Sequence, residues 1–278
     1  MKNILVPVDF SNSSKWAADF AYNMASNWDY KLHFVHVVEF QMAPVDLFEG
    51  GAGASHYIAL QKDLVKIGSD QMEALVSSFP DVPIESEVVV GKPYVSISEQ
   101  LINKDIDLVV MGTNGASGLS EFFLGSNAAR MVRKSKCPVI TLSQPSNPFD
   151  INKIVFAFDL QQKDDQLIQN VKELQETFKA KLEVVRVNTP NNFIRDHEAM
   201  RILEQLVSDN ELKDVNLNIY NDVDETSGII SFAEDVKAGI IALGTHGRQG
   251  LGHIAAGSIA EEVVNHSKIP VWTNHIGI

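Results

Sequence analysis

The chain has 278 residues, 45% hydrophobic and 21% charged, and a formal net charge of −13. No apolar run approaches the roughly 20 residues of a membrane span, so the composition is that of a globular protein without a membrane anchor. The acidic balance repels a phosphate backbone and removes the general reason to expect a nucleic-acid partner. The lone Cys137 has no partner for an internal disulfide, and its place beside Pro138 predicts packing rather than nucleophilic catalysis.

Ile-Leu-Val-Pro-Val-Asp at 4–9 reads as a short buried strand, too brief for the apolar core of a signal peptide, so a cytoplasmic protein is expected. Residues 154–159 match it in length, apolarity and terminal Asp, at an offset of 150. Each is followed by a helical pattern, with Trp16, Ala17, Phe20, Ala21 and Met24 on one face and Leu167, Ile168, Val171, Leu174 and Phe178 on the other half's equivalent. Second strands follow at 32–38 and 182–187. After these the halves diverge. The first half carries about 18 extra residues before the next matching motif, by comparison of the two offsets. They are placed around 41–60, where Gly50, Gly51 and Gly53 predict a mobile loop.

Third strands are expected at 84–90 and 217–220, each leading through a short helix to a buried run at 106–111 or 240–243. Directly behind those runs stands the feature that organises the chain. Gly112-Thr-Asn-Gly115, then nine residues, then Gly125-Ser126 recurs as Gly244-Thr-His-Gly247, then nine residues, then Gly257-Ser258. A helix and a closing Pro-Val strand follow in both places, at 138–142 and 270–273. The cations between Arg130 and Lys136 fall in the last turns of the first of these helices, where they suit its dipole without needing partners.

The alternation predicts an α/β fold of two tandem doubly wound, Rossmann-like domains, each a five-stranded, mainly parallel sheet with helices on both faces. The boundaries are expected at 1–143 and 152–278, with 144–151 as a linker rich in Pro, Ser and Asn.

A loop leaving the C-terminal end of a buried parallel strand opens onto the crevice where such sheets bind ligands. Gly112 and Gly115, lacking Cβ, let backbone N–H groups approach an anion closely, and Gly125-Ser126 then opens a helix whose unpaired N–H groups favour negative charge. Ser126 and Ser258 either cap their helices or bind phosphate. Asp9 and Asp159, at the end of the first strand, either cap the next helix or accept a ribose hydroxyl. The pattern is neither a Walker A loop, since no Lys follows the glycines, nor the dinucleotide fingerprint, which belongs after the first strand. His246 has no second titratable group in register with it, so it is read as a loop residue rather than an acid or base. His253, His266 and His275 are too irregularly spaced for a zinc site.

The Val-Pro-Val-Asp start, the Gly-x2-Gly-x9-Gly-Ser motif and the closing Cys-Pro-Val-Ile strand resemble a universal stress protein, and the whole chain resembles the tandem form with two such domains. The resemblance implies an adenine nucleotide, usually ATP with ADP or AMP as alternatives, and a regulatory role in stress survival. It also implies an internal pseudo-dimer paired through the last strands. Carried over by position, it assigns Asp9 to the ribose or metal side and the Val37 backbone to the adenine edge, with Met111, Gly112, Gly115, Gly125, Ser126 and Asn127 around ribose and phosphates. The second-half equivalents are Asp159, Val187, Leu243, Gly244, Gly247, Gly257, Ser258 and Ile259. The halves differ at their rims: Pro7 becomes Ala157, Ser11 becomes Gln161, Gly91 faces an Asn221-Asp222 region, and only the second motif carries His246 and Arg248. Unequal sites are therefore expected. Two other readings stand beside the nucleotide-binding regulator. One is a slow Mg²⁺-dependent ATPase or phosphotransferase using Asp9 or Asp159, although no clear base or electrophilic Lys is in register. The other is a nucleotide-free interaction scaffold. Self-association of the whole chain into a homodimer is left open.

Overall fold

The computed structural model describes residues 2–39, 51–113, 124–160, 164–246 and 256–276. In the first half the order is β1 (Lys2–Pro7), α1 (Asn12–Asn27), β2 (Tyr30–Val38), α2 (Gly51–Ser77), β3 (Ile84–Val90), α3 (Pro93–Asn103), β4 (Leu108–Gly112), α4 (Ser126–Lys134) and β5 (Val139–Leu142). The second half repeats it: β6 (Lys153–Ala157), α5 (Asp165–Phe178), β7 (Lys181–Asn188), α6 (Asp196–Asp209), β8 (Val215–Asn221), α7 (Glu225–Asp235), β9 (Ile240–His246), α8 (Ala256–His266) and β10 (Val271–Ile276). No helix among the described residues is long and apolar enough to cross a membrane.

The strands form one ten-stranded sheet in the order β3-β2-β1-β4-β5-β10-β9-β6-β7-β8. Pairing is parallel inside each half and antiparallel only between β5 and β10. In that pair Ile140 faces Trp272, and Trp272 stands 132 positions after Ile140, the same offset that separates Gly112 from Gly244. Equivalent residues therefore meet at the centre, and a pseudo-two-fold axis passes between them. Thr141 and Thr273, also equivalent, each turn a hydroxyl onto the opposite strand, at 3.2 Å to the Val271 carbonyl and 3.4 Å to the Val139 carbonyl.

On one face, α1, α2, α5 and α6 cover a single core that runs from Ile4, Phe20 and Met24 through Ile140 and Trp272 to Phe156 and Leu174. On the other face, α3 with α4 and α7 with α8 cover two smaller clusters. Here α4 reaches across the seam. The Val132 carbonyl accepts a 3.0 Å hydrogen bond from the buried Thr245 hydroxyl, and Arg133 pairs with Glu261 of α8 at 3.2 Å. Of the cations in this stretch, Arg133 and Lys134 fall in the last turn of α4 and Lys136 lies beyond its end, and Arg133, expected to need no partner, has one in the other half. The connection from β5 to β6 is strapped down: Ser143 and Gln144 donate to the Ser267 and Lys268 carbonyls, and Phe149 packs on Trp28 at 5.9 Å.

The expected mobile loop at 41–60 is corrected in part. Residues 51–60 belong to α2, which at 27 residues is nearly twice its counterpart α6 at 14; residues 40–50 lie outside the described residues. The helix forms despite its early glycines because its later turns bury Met72 and bring Gly68 against the His36 ring, where a Cβ would approach to 2.8 Å.

Near the start of β2 the side chain of His33 is almost fully buried. Its Nε2 meets Asn3 Oδ1 at 3.1 Å, and its Nδ1 lies 3.2 Å from Glu85 Oε2. Glu85 also pairs with Lys31, and Lys104 stands 3.7 Å from both Glu85 and Glu87. Burial pushes the His33 pKa down. Glu85 opposes that shift, while Lys104 and Lys31 add to it. At the equivalent position the second half buries Glu183, which accepts from Asn216 at 2.8 Å and Asn218 at 3.1 Å. The duplication keeps a buried polar pair here and exchanges its chemistry.

Two outcomes follow. Trp272→Ala removes the largest side chain of the seam and should cost about 3–5 kcal/mol, read as a lower urea midpoint. Because the folded His33 pKa lies below the unfolded value of about 6.5, the unfolded chain takes up the proton first, so stability is full above that pH and falls as pH drops below it. Melting temperatures from pH 7.5 to 5 should fall more for the wild type than for His33→Gln; parallel curves would refute the assignment.

Candidate functional site

The strand order turns back between β1 and β4, and the carboxyl ends of those strands, with β2, floor a cavity of about 200 Å³. Such reversal points leave a crevice because neighbouring crossovers go to opposite faces. Its apolar side is made by Val35, Val37, Ile97 and Met111, and its polar side by Asp9, Ser14, Thr113, Ser126 and Asn127. Every first-half residue that the resemblance assigns to the nucleotide lines this one cavity, apart from Gly115, which lies outside the described residues.

The polar side is shaped by three local devices. Asp9 does not cap α1: Ser11 does, accepting from the Ser14 amide, while Asp9 Oδ1 accepts from the Ser11 amide at 3.1 Å and the Ser11 hydroxyl at 2.5 Å. The turn between them holds Phe10 at φ 63, a region costly for an aromatic residue, and Phe10 packs on His36 at 4.6 Å. Gly112 sits against Ser13, where a Cβ would come within 2.6 Å of the Ser13 backbone, so the α1 start and the β4 end touch without a side chain between them.

The third device is the start of α4. Gly125 is its N-cap and offers no side chain, so Ser126 is the first helical residue rather than the cap. The Gly125 amide is tied to the Thr113 carbonyl at 2.8 Å, which pins the helix start to the end of β4. The amides of the first turn have no intrahelical acceptor, its residues Ser126, Asn127 and Ala128 line the cavity, and no acidic side chain stands in that turn. With Arg133 and Lys134 at the far end, the helix leaves its positive pole to whatever anion enters the cavity.

The second half builds a related cavity of about 90 Å³ over β6, β7 and β9. Asp159, Val187, Leu243, Gly244 and Ile259 line it, as their positions predicted. Gly257 lies in the first turn of α8, whereas Gly247 and the side chain of Ser258 fall outside the described residues. Asp159, like Asp9, is not the helix cap, a task that falls to Asp164. Sequence reasoning missed Arg186, Asn192 and Glu225, which also line this cavity. Arg186 had a visible signal, as a cation set among Val184, Val185 and Val187 in β7. Asn192 had none, since it arrives from the loop after β7.

Cys137 is buried, and burial pushes its thiol up to about 11, so it stays protonated and packs as read.

The model of the universal stress protein family matches residues 1–143 and again residues 150–274. A universal stress protein of Methanocaldococcus jannaschii is 31% identical over 146 residues, covering 52% of this chain and 83% of its own. Among solved structures, a universal stress protein from Archaeoglobus fulgidus superposes with a TM-score of 0.74 at 19% identity, covering 99% of this chain and 98% of that one. A Pseudomonas aeruginosa protein of unknown function reaches 0.65 at 17% identity over 99% and 93%. At these identities the structural likeness speaks to the fold alone.

Gly112→Ala places a methyl group on the Ser13 backbone and should destabilise the chain by about 1–3 kcal/mol in a urea titration. A loss below about 0.5 kcal/mol would mean that the contact is not tight.

Proposed function

The chain belongs to the universal stress protein family, and from that premise we propose that its first-half cavity binds an adenine nucleotide, ATP first among them, as a regulatory signal rather than as a substrate. The observation that carries the reading is the undressed N-terminus of α4. Three first-turn residues border the cavity with no acidic neighbour in the turn, the arrangement that a phosphate group fits. Of the other lining residues, Val35, Val37, Ile97 and Met111 offer an apolar surface suited to a flat base. Asp9, on the same lining and held by Ser11, would accept ribose hydroxyls.

A regulator is favoured over a hydrolase because the lining supplies few groups for chemistry. Among the described lining residues Asp9 is the single titratable one, and its Oδ1 already accepts two hydrogen bonds from Ser11. Among the described lining residues there is no lysine or arginine to stabilise a transferring phosphoryl group. Bound nucleotide would act by stabilising the folded first half, with a partner protein reading its occupancy. A cytoplasmic location suits such a role.

Calorimetric titration with ATP tests this. Binding is expected in the wild type, with Asp9→Ala weakening it by roughly tenfold or more through the lost hydrogen bonds to a charged group. Ser126→Asp should weaken ATP without lowering stability, because a carboxylate suits a helix start and repels phosphate. Saturating ATP, at about a hundred times its Kd, should add about 2.7 kcal/mol to unfolding. No heat and no thermal shift at millimolar ATP would end the proposal.

A further inference from the structure

The second cavity repeats the apolar walls of the first but changes its size, its lining charge and its rim. At about 90 Å³ it has less than half the room of the first, at about 200 Å³. Lys92, at the N-cap of α3, is replaced by Asp224 at the N-cap of α7, and Pro93, the first residue of α3, by Glu225, the first of α7. Gly91, whose amide bonds the Val38 carbonyl, is replaced by Asp222, whose amide bonds the equivalent Asn188 carbonyl. Among the described residues at the starts of α3 and α7, the first rim thus carries one lysine where the second carries three carboxylates.

Inside the second cavity stands Arg186, only 6% exposed. Its Nη2 donates to the Asn192 carbonyl at 3.1 Å, and its Nε has no hydrogen-bond acceptor among the described residues. Asp159 and Glu225 line the same cavity, so among the described lining residues two carboxylates already face this one guanidinium. Glu225 Oε1 accepts from Thr189 at 3.1 Å and Asn192 at 3.4 Å, bonds that do not involve Oε2. A buried guanidinium with an unmet donor, next to a carboxylate with acceptor capacity, calls for a ligand that is both acceptor and donor yet adds no negative charge.

We propose that the second-half cavity is a nucleoside site: it takes an uncharged amino-purine nucleoside and discriminates against the phosphorylated forms that the first half accepts. The apolar walls Val185, Val187 and Leu243 receive the base, Glu225 accepts from its amino group, and Arg186 donates to a ring nitrogen or ribose oxygen. The rim carboxylates repel a polyphosphate within the Debye length of about 8–10 Å at ordinary salt. The inference rests on the nucleotide reading of the first cavity for its contrast between sites, but not for its own ligand.

The test uses the intact chain, with ATP and adenosine as probes in calorimetry. One ATP per chain is expected, and adenosine added to the ATP-saturated protein should give a second event. Glu225→Gln, which keeps the size of the side chain and removes its charge, should weaken that second event about tenfold and leave the first ATP unchanged. Asp224→Lys with Glu225→Pro, which writes the first-half rim into the second, should raise the ATP count to two; Glu225→Gln carries the test alone if that variant melts early. The proposal is overturned if ATP fills two sites in the wild type, if adenosine gives no event on the ATP-saturated chain, or if Glu225→Gln leaves adenosine binding unaltered. A chain that binds adenosine in a Glu225-dependent way and never binds ATP would refute the first-half reading and uphold this one.

Discussion

The antiparallel contact of β5 with β10 is the interaction on which the rest of the molecule depends. Each half alone would end in an exposed strand with unpaired backbone groups and an uncovered apolar row, which is a site for unwanted pairing. Joined, the two strands bury Ile140 and Trp272 at the pseudo-axis, and the core on the α1 and α5 face runs through them without a break. The edges that remain are β3, which turns Glu85 toward the buried His33, and β8, which turns Asn216 and Asn218 toward the buried Glu183. Polar chemistry at these outer strands blunts them, while the apolar seam holds the centre.

The same scaffold supports two differently charged cavities because scaffold and rim answer to different constraints. Gly112 and the buried apolar residues under each site are fixed by packing, where a single methyl group is felt. The residues at the starts of α3 and α7 are partly exposed, and exchanging Lys92 for Asp224 or Pro93 for Glu225 changes the charge there while the helix start is kept, with Asp224 gaining a side-chain cap that Lys92 lacks. Duplication followed by drift at the rim thus yields a second site of altered charge without rebuilding the fold.

Much of this was legible in the sequence, for reasons that differ by element. The strand at Ile84–Val90 and the buried faces of α1 and α5 were readable because β-branched content and helical spacing are local signals. The glycine repeat was readable because it occurs twice. The helix α2 was not, since Gly50, Gly51 and Gly53 read as a loop, and what holds the helix is the distant packing of Gly68 on His36. Asp9 and Ser126 were recognised as site residues, but which of Asp9 or Ser11, and Ser126 or Gly125, caps a helix is decided by a one- or two-residue shift in backbone geometry. The pair Arg133–Glu261 was out of reach, because it depends on how the halves meet across the seam.

The helix α4 lines one cavity and is bonded to the strand that floors the other. Its first turn borders the larger one, and its Val132 carbonyl is held by Thr245, the residue after Gly244 in the strand that floors the smaller. Because the halves pair antiparallel, the two mouths open at opposite edges of the sheet, yet nine residues of one helix, about 13 Å of rod, join them. Rigid helices move as units, so a shift of the first turn of α4 is felt at its bond to Thr245. Distance along the surface is a poor guide to how far apart the two sites are.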